Sequence, residues 1–285
     1  MKNSIKNPLV SITIPTLDSE KTLKITLESI KNQTFQDYEI IIVDSGSKDK
    51  TLEIAKQYTS KIYHDPRKLL GARQTGLLNS SGEIVFLLDS DQILHKTTLE
   101  RAINLIKTKN YDMLFLEEDS YKPRNIIEKL SSIDRKATHK QKVIDPSLSV
   151  LLPRVFKKDL LLKVFKKIES VDPTLFDYVT LHDHAITYYE SYKISKKVGY
   201  VPQAVFHREP TSISELFHHY YKWGTRSSKK VYTLPREYSI MFEKKLNHRY
   251  MSVQLLSINF FLNMPIIAIK GLGYYSGLIY SKIKN

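Results

Sequence analysis

The stretch Gly82-Glu83-Ile84-Val85-Phe86-Leu87-Leu88-Asp89-Ser90-Asp91 constrains the fold more than any other part of this sequence. Ile84 to Leu88 is apolar at every position, rich in strand formers and too short for a helix, so it reads as a strand buried on both faces. Strands of that kind belong to parallel sheets covered by helices on both sides. The carboxyl end of this one delivers two Asp side chains, and in open α/β sheets ligands collect outside the carboxyl ends of the strands. Asp-x-Asp supplies hard oxygen ligands of the type Mg²⁺ and Mn²⁺ take, and such ions in turn hold phosphate oxygens. Asp and Ser are also ordinary turn residues, so the pattern alone fits a solvated turn as well.

The surrounding chain repeats the arrangement. Leu9 to Ile14 is β-rich and stopped by Pro15, and Tyr38 to Val43 is a second buried strand ending in Asp44. Ile62-Tyr63-His64 and Asp112 to Leu116 read as further strands. Between them lie segments of helical spacing: Leu23, Leu27 and Ile30 after a cap at Asp18 or Ser19, then about 50–58 and 69–79. This alternation predicts an α/β fold, a mostly parallel sheet flanked by helices. Neither the dinucleotide glycine fingerprint nor the glycine-lysine phosphate loop is present, which takes most of the weight from dehydrogenase and P-loop readings. Instead three strands end in acid-bearing loops, with Asp18, Asp44, and Asp89 with Asp91, and carboxylates gathered on one sheet edge point to a site.

Taken in order, Pro15-Thr16-x-Asp18, Val43-Asp44-Ser45-Gly46-Ser47-x-Asp49-x-Thr51, Gly71-Ala72-Arg73-x-x-Gly76 and Gly82-Glu83 leading into Asp89-Ser90-Asp91 resemble the inverting family 2 glycosyltransferases of the GT-A fold. The resemblance covers roughly residues 8 to 225. It implies a GT-A-like domain over residues 1–230, with a nucleotide-sugar half at about 8–117 and an acceptor half at about 118–230, and a basic, apolar helical region at 231–285. It further implies that Thr16, Asp18, Asp44, Arg73 and Asp89 bind a nucleotide-diphosphate sugar, and that Asp91 with Asp89 holds Mn²⁺ or Mg²⁺. Many members have Asp-Asp-Gly-Ser where this chain has Asp44-Ser45-Gly46-Ser47, a variant that leaves Asp44 to contact base and ribose.

Beyond residue 120 the sequence is less legible. Ile126, Ile127, Leu130 and Ile133 recur at helical spacing and predict an amphipathic helix lying against the sheet. Ser149 to Leu152 is β-like, and Pro153 to Lys158 resembles the family's segment that leads into a helix beside the acceptor site. In Leu181-His182-Asp183-His184-Ala185-Ile186 a carboxylate sits between two imidazoles just before an apolar helical stretch, where Asp is an ordinary N-cap. The resemblance makes Asp183 the general base, with His182 where Glu usually stands. Inverting transfer needs a carboxylate to take the acceptor proton as the hydroxyl attacks the anomeric carbon opposite the leaving diphosphate. Val198 to His207 reads as a strand pair, and the resemblance implies that His207 completes the metal site. Ser214 to Gly224 reads as an aromatic helix followed by the basic stretch Thr225 to Lys230, and the resemblance puts Trp223 and Arg226 of this region near acceptor and diphosphate. Arg suits bidentate phosphate contact.

Composition narrows the partners. The chain of 285 residues has no cysteine, which excludes thiol chemistry, Cys-ligated zinc and a disulfide framework. Its first residues lack the apolar core of a signal peptide, so a cytoplasmic location is expected. Of the net charge of +14, a surplus of eight lies from His207 onward, with twelve Lys/Arg against four Asp/Glu. That quarter also holds the apolar run Met251 to Tyr280, which Pro265 breaks, so it reads as two helices that pack on the domain, bury a dimer interface or lie in a membrane interface, the last favoured by the flanking positive charge and tyrosines. Peripheral attachment to the cytoplasmic face, and a lipid-linked or cell-surface glycan as acceptor, are the expectations; no nucleic-acid-reading motif is present. The rival readings are a polyprenyl (dolichyl)-phosphate sugar synthase, whose acceptor is already an anion and needs no base, and a catalytically silent membrane-associated scaffold.

Overall fold

β1 (Val10–Thr16) is buried at all seven positions, as a strand covered on both faces must be. The computed structural model describes residues 7–139, 142–227, 234–253 and 258–283, and packs as two units, Met1–Glu117 with Leu152–Phe206 and Glu118–Leu151 with His207–Asn285. In the first unit β1 is followed by α1 (Leu23–Lys31), β2 (Tyr38–Asp44), α2 (Thr51–Ala55), β3 (Ile62–His64), α3 (Leu69–Leu78), β4 (Ile84–Leu87), β5 (Gln92–Leu94), α4 (Thr98–Lys109) and most of β6 (Met113–Ser120). The second unit contributes α5 (Ile126–His139) before the chain returns through β7 (Pro153–Lys157), α6 (Lys158–Val171), α7 (Leu175–Tyr178), α8 (Asp183–Ile194) and β8 (Val198–His207). It then completes the second unit with α9 (Ile213–Ser227), α10 (Arg236–Val253) and α11 (Ile258–Ile283).

The sheet order is β3-β2-β1-β4-β7-β6-β8-β5. β2 pairs parallel with both β1 and β3, and β1 parallel with β4, whereas β7 is antiparallel to β4 and β6. Register puts Thr16 opposite Asp44 and Thr13 opposite Leu87, so the loops after β1, β2 and β4 leave the sheet at one edge. Beneath them Ile12, Ile14, Ile42 and Phe86 share a core with Leu23, Leu27 and Ile30, the residues whose spacing predicts α1. No side chain caps that helix; its first N–H groups reach the Ser19 carbonyl instead.

Four expectations are corrected here, the last in part. The β-like residues Ser149 to Leu152 form no strand; β7 begins at Pro153. Val198 to His207 is one strand, irregular only where Gln203 takes φ of 45°. Most of all, α11 runs through Pro265 without a break. An interior proline costs a helix about 3 kcal/mol, and packing beyond the proline offsets it: Gly273 and Gly277 bring α11 onto the backbone of α9 so closely that a Cβ at Gly273 would lie 2.6 Å from the Phe217 carbonyl oxygen. In α5 the predicted apolar face is half-buried at Ile127, Leu130 and Ile133 and exposed at Ile126, while Glu128, Ser131, Ser132 and His139 are covered. Polar anchoring adds to that packing, with Arg135 donating to Glu118 and Glu209 at 3.2 and 2.6 Å.

Candidate active site

The site begins with two glycines in α3. A side chain at Gly76 would meet Thr13 Cβ on β1 at 2.9 Å, and one at Gly71 would meet the Phe176 carbonyl oxygen at 2.7 Å. Their absence of a Cβ lets α3 lie against strand and neighbour, which carries Arg73, between them in sequence, to complete burial. A guanidinium removed from water must be paired. Arg73 donates through Nε to Asp183 and through Nη2 to Asp89, and Nη1 is 3.4 Å from the Leu88 carbonyl. One side chain thus joins the carboxyl end of β4 to the first residue of α8.

Arg154, on β7, closes the arrangement from the other side. Its Nη1 lies 2.8 Å from Asp89 Oδ2 and also contacts His184 Nε2. Burial alone would raise the Asp89 carboxyl, but Arg154 and Arg73 hold it well below the usual carboxylate range. Asp183 behaves similarly: burial raises it, and His184 and Arg73 outweigh burial, so it too is held below its ordinary value. His184 moves the other way for a base, lowered to about 4 by burial and by Arg154 and Arg73. The ring is therefore neutral at pH 7, and because Nε2 accepts from Arg154 its proton resides on Nδ1. Two arginines balance two carboxylates in a cluster that is buried at Arg73 and Asp183 and opens toward solvent at Asp89.

At the same edge the loops after β1 and β2 are tied together. Asp44 Oδ1 accepts from Thr16 Oγ1 at 2.9 Å and Ser47 Oγ at 2.5 Å, and Oδ2 from the backbone N–H groups of Gly46 and Ser47 at 3.0 and 2.9 Å. Gly46 needs its glycine, with φ of 94°. Asp18, in the left-handed region that Asp tolerates, accepts from Lys48 N at 2.8 Å and donates its own N–H to Ser47 Oγ at 2.9 Å. Beside this knot Asp44, Leu52, Lys56, Ile62, Tyr63 and His64 line a cleft of about 550 Å³, within the size range of small-molecule sites.

The residues singled out from sequence therefore divide. Thr16, Asp18 and Asp44 share the knotted loops; Arg73, Asp89 and Asp183 share the charge cluster. Asp183 does not cap α8: the N-cap position is His182, half-buried and without a side-chain cap bond, and Asp183 faces Arg73 instead. Asp91, one turn residue beyond Ser90, is exposed, whereas both Asp89 oxygens meet guanidinium groups. His207 belongs to the second unit, with Nε2 3.1 Å from Glu118 Oε2. Trp223, also there, is partly exposed beside His219 and Tyr220, and the Arg226 side chain lies outside the described residues.

Arg154 escapes a reading from sequence. His184 is visible as the neighbour of Asp183, but no pattern of spacing connects a strand residue at 154 with a carboxylate at 89 until β7 pairs antiparallel with β4. Among the described residues no group of three His, Asp or Glu is placed to hold a metal ion. Asp91 does suit Mg²⁺ or Mn²⁺ as a single exposed carboxylate, since these ions bind through one or two carboxylates with substrate phosphates completing the shell.

Comparison with known proteins gives consistent matches. The family model described as Glycosyl transferase family 2 matches residues 11–165. The poly(ribitol-phosphate) beta-N-acetylglucosaminyltransferase TarP of Staphylococcus aureus is 34% identical over 186 residues, which cover 59% of this chain and 54% of TarP, so the match spans about half of that relative. Two solved structures share the fold. S. aureus TarS 1-349 in complex with UDP-GlcNAc superposes with a TM-score of 0.56 at 16% identity, over 93% of this chain and 81% of that one. The mannosyltransferase PcManGT from Pyrobaculum calidifontis, in complex with GDP-Man and Mn²⁺, gives 0.57 at 14% identity, over 99% and 88%.

Proposed function

The chain belongs to glycosyl transferase family 2, and from that membership we propose that it moves a sugar from a nucleotide-diphosphate donor to an acceptor hydroxyl, with inversion at the anomeric carbon. One observation carries the reading: Arg73 binds Asp89, at the sheet edge where donors collect, and Asp183, the carboxylate assigned as base, with the same guanidinium. The residues that meet the donor and the one that deprotonates the acceptor are thereby held to one fixed group, as bringing two reactants into line requires.

In this reading the cleft beside Asp44 takes the base and ribose, and the loop knot of Thr16, Asp18 and Ser47 keeps its rim in place. Asp183 takes the proton of the attacking hydroxyl; Arg73 keeps it ionised and fixes its orientation. Asp91 would hold the divalent ion as an exposed carboxylate. When bound, Mn²⁺ or Mg²⁺ supplies Lewis-acid neutralisation of the leaving nucleoside diphosphate. The acceptor is a glycan hydroxyl, on a cell-surface or lipid-linked glycan.

A donor screen by thermal shift tests this reading, using UDP-, GDP-, dTDP- and CMP-sugars with and without Mn²⁺. A ligand that binds only the folded state raises its melting temperature by mass action. A shift with one nucleotide class that grows with Mn²⁺ is expected; no shift with any of the four in the presence of metal assigns the fold to a non-catalytic role.

A further inference from the structure

We propose that the outward face of α11 docks on an anionic lipid bilayer. Its inward face is fixed by the glycines: Gly277 lies against the Tyr221 carbonyl of α9, and Gly224 of α9 against the Tyr274 carbonyl of α11, contacts with no room for a Cβ. With those positions turned inward, Leu272, Tyr275, Ile279 and Ile283 follow one another at helical spacing on the opposite side. They are strongly exposed for residues of their kind, Leu272 at 64%, Ile279 at 56% and Ile283 at 80%. Met264 and Ala268 extend the same row toward the helix start. Exposed apolar residues scattered singly are ordinary, but a continuous row along five turns is a surface built to be covered.

Charge decides what covers it. The 26 residues of α11 include no Asp or Glu, and the chain from His207 onward carries eight more basic than acidic side chains. A second copy of the chain would bring the same positive field to this face and be repelled, whereas anionic headgroups complement it. Lys270 is not part of this attraction, because it is drawn inward to Asp134 at 2.7 Å. Tyr275 and Tyr280, both partly exposed, are suited to the headgroup level, with an apolar ring and a polar tip. No described helix is long and apolar enough to cross a membrane, so α11 lies on the surface. The inference stands on the second unit alone and is independent of the sugar-transfer reading.

Vesicle flotation of the full chain tests it, with phosphatidylcholine vesicles and with vesicles that also contain phosphatidylglycerol. Wild-type protein is expected to float with the anionic vesicles and to be released as salt rises. The double variant Leu272→Glu/Ile279→Glu alters only exposed positions, so its melting temperature should match wild type while its affinity for the anionic vesicles falls about tenfold or more. Absence of wild-type binding to either vesicle, or equal binding by the double variant, overturns the proposal. So does a dimer in lipid-free buffer that the double variant abolishes, which assigns the face to a second copy.

Discussion

The guanidinium of Arg73 donates through Nε to Oδ2 of Asp183, 110 positions further along the chain. The contact joins α3 to α8, and because the same guanidinium also reaches Asp89 it sets the position of one carboxylate relative to the other. A buried ion pair of this kind adds little stability compared with an apolar substitute for the whole cluster, yet removing one member leaves charge stranded in a dry interior.

Arg73→Met, which keeps side-chain bulk and removes the charge, is therefore expected to destabilise the fold by about 3–5 kcal/mol, measured by urea unfolding at pH 7. Arg73→Lys should recover only part of that loss, because an ammonium cannot reproduce the fork that serves two carboxylates. A loss below about 1 kcal/mol in the methionine variant would mean that the carboxylates are held by something else.

His184 gives the cluster a signature in pH. Its ordinary value of 6.5 falls to about 4 in the folded chain, so as pH drops through this window the unfolded chain takes up a proton that the folded chain refuses. Stability from this group is complete above about 6.5, declines as pH falls toward 4, and loses about 3 kcal/mol in total. His184→Gln, which keeps an acceptor for Arg154 and does not titrate, should flatten the decline between those limits. Parallel pH profiles for variant and wild type across the window would contradict the assignment of a neutral, buried ring.

Asp89 and Asp91 stand two positions apart and should behave as different kinds of residue. Asp91→Ala removes an exposed side chain, so stability should change by no more than about 0.5 kcal/mol while Mn²⁺-dependent donor binding is lost. Asp89→Ala removes a carboxylate that Arg73 and Arg154 both contact, leaving Arg73 with Asp183, and should cost about 1–3 kcal/mol whether or not metal is present. Unfolding midpoints and donor titrations of the two variants separate these outcomes; metal-dependent binding that survives Asp91→Ala would remove Asp91 as a ligand.

Much of the first unit was legible because its strands are rich in strand formers: β2 and β4 fall where their apolar runs place them and β1 where its alternating, β-rich run does, and the acids that end them meet at one edge. The glycines at 71 and 76 were visible as a motif, but their purpose, bringing Arg73 to full burial, depends on Thr13 and Phe176 and so on tertiary packing. Arg154 was invisible for the same reason, since it reaches Asp89 only through an antiparallel pairing between segments far apart in sequence. In the second unit local rules misled. The isoleucines of α5 promised a buried apolar face that is only half-covered, with polar residues buried beside it, and Pro265 promised a break that the glycine contacts of α11 override.

The most direct test of the account is a side-by-side measurement of donor affinity and nucleoside-diphosphate release for wild type and Asp183→Asn, with Mn²⁺ present and the donor that the thermal-shift screen selects. If Asp183 is the base, the variant binds donor within a few-fold of wild type and loses about a hundredfold or more in release. Full turnover in Asp183→Asn would contradict it and would favour a lipid phosphate, already an anion, as the acceptor.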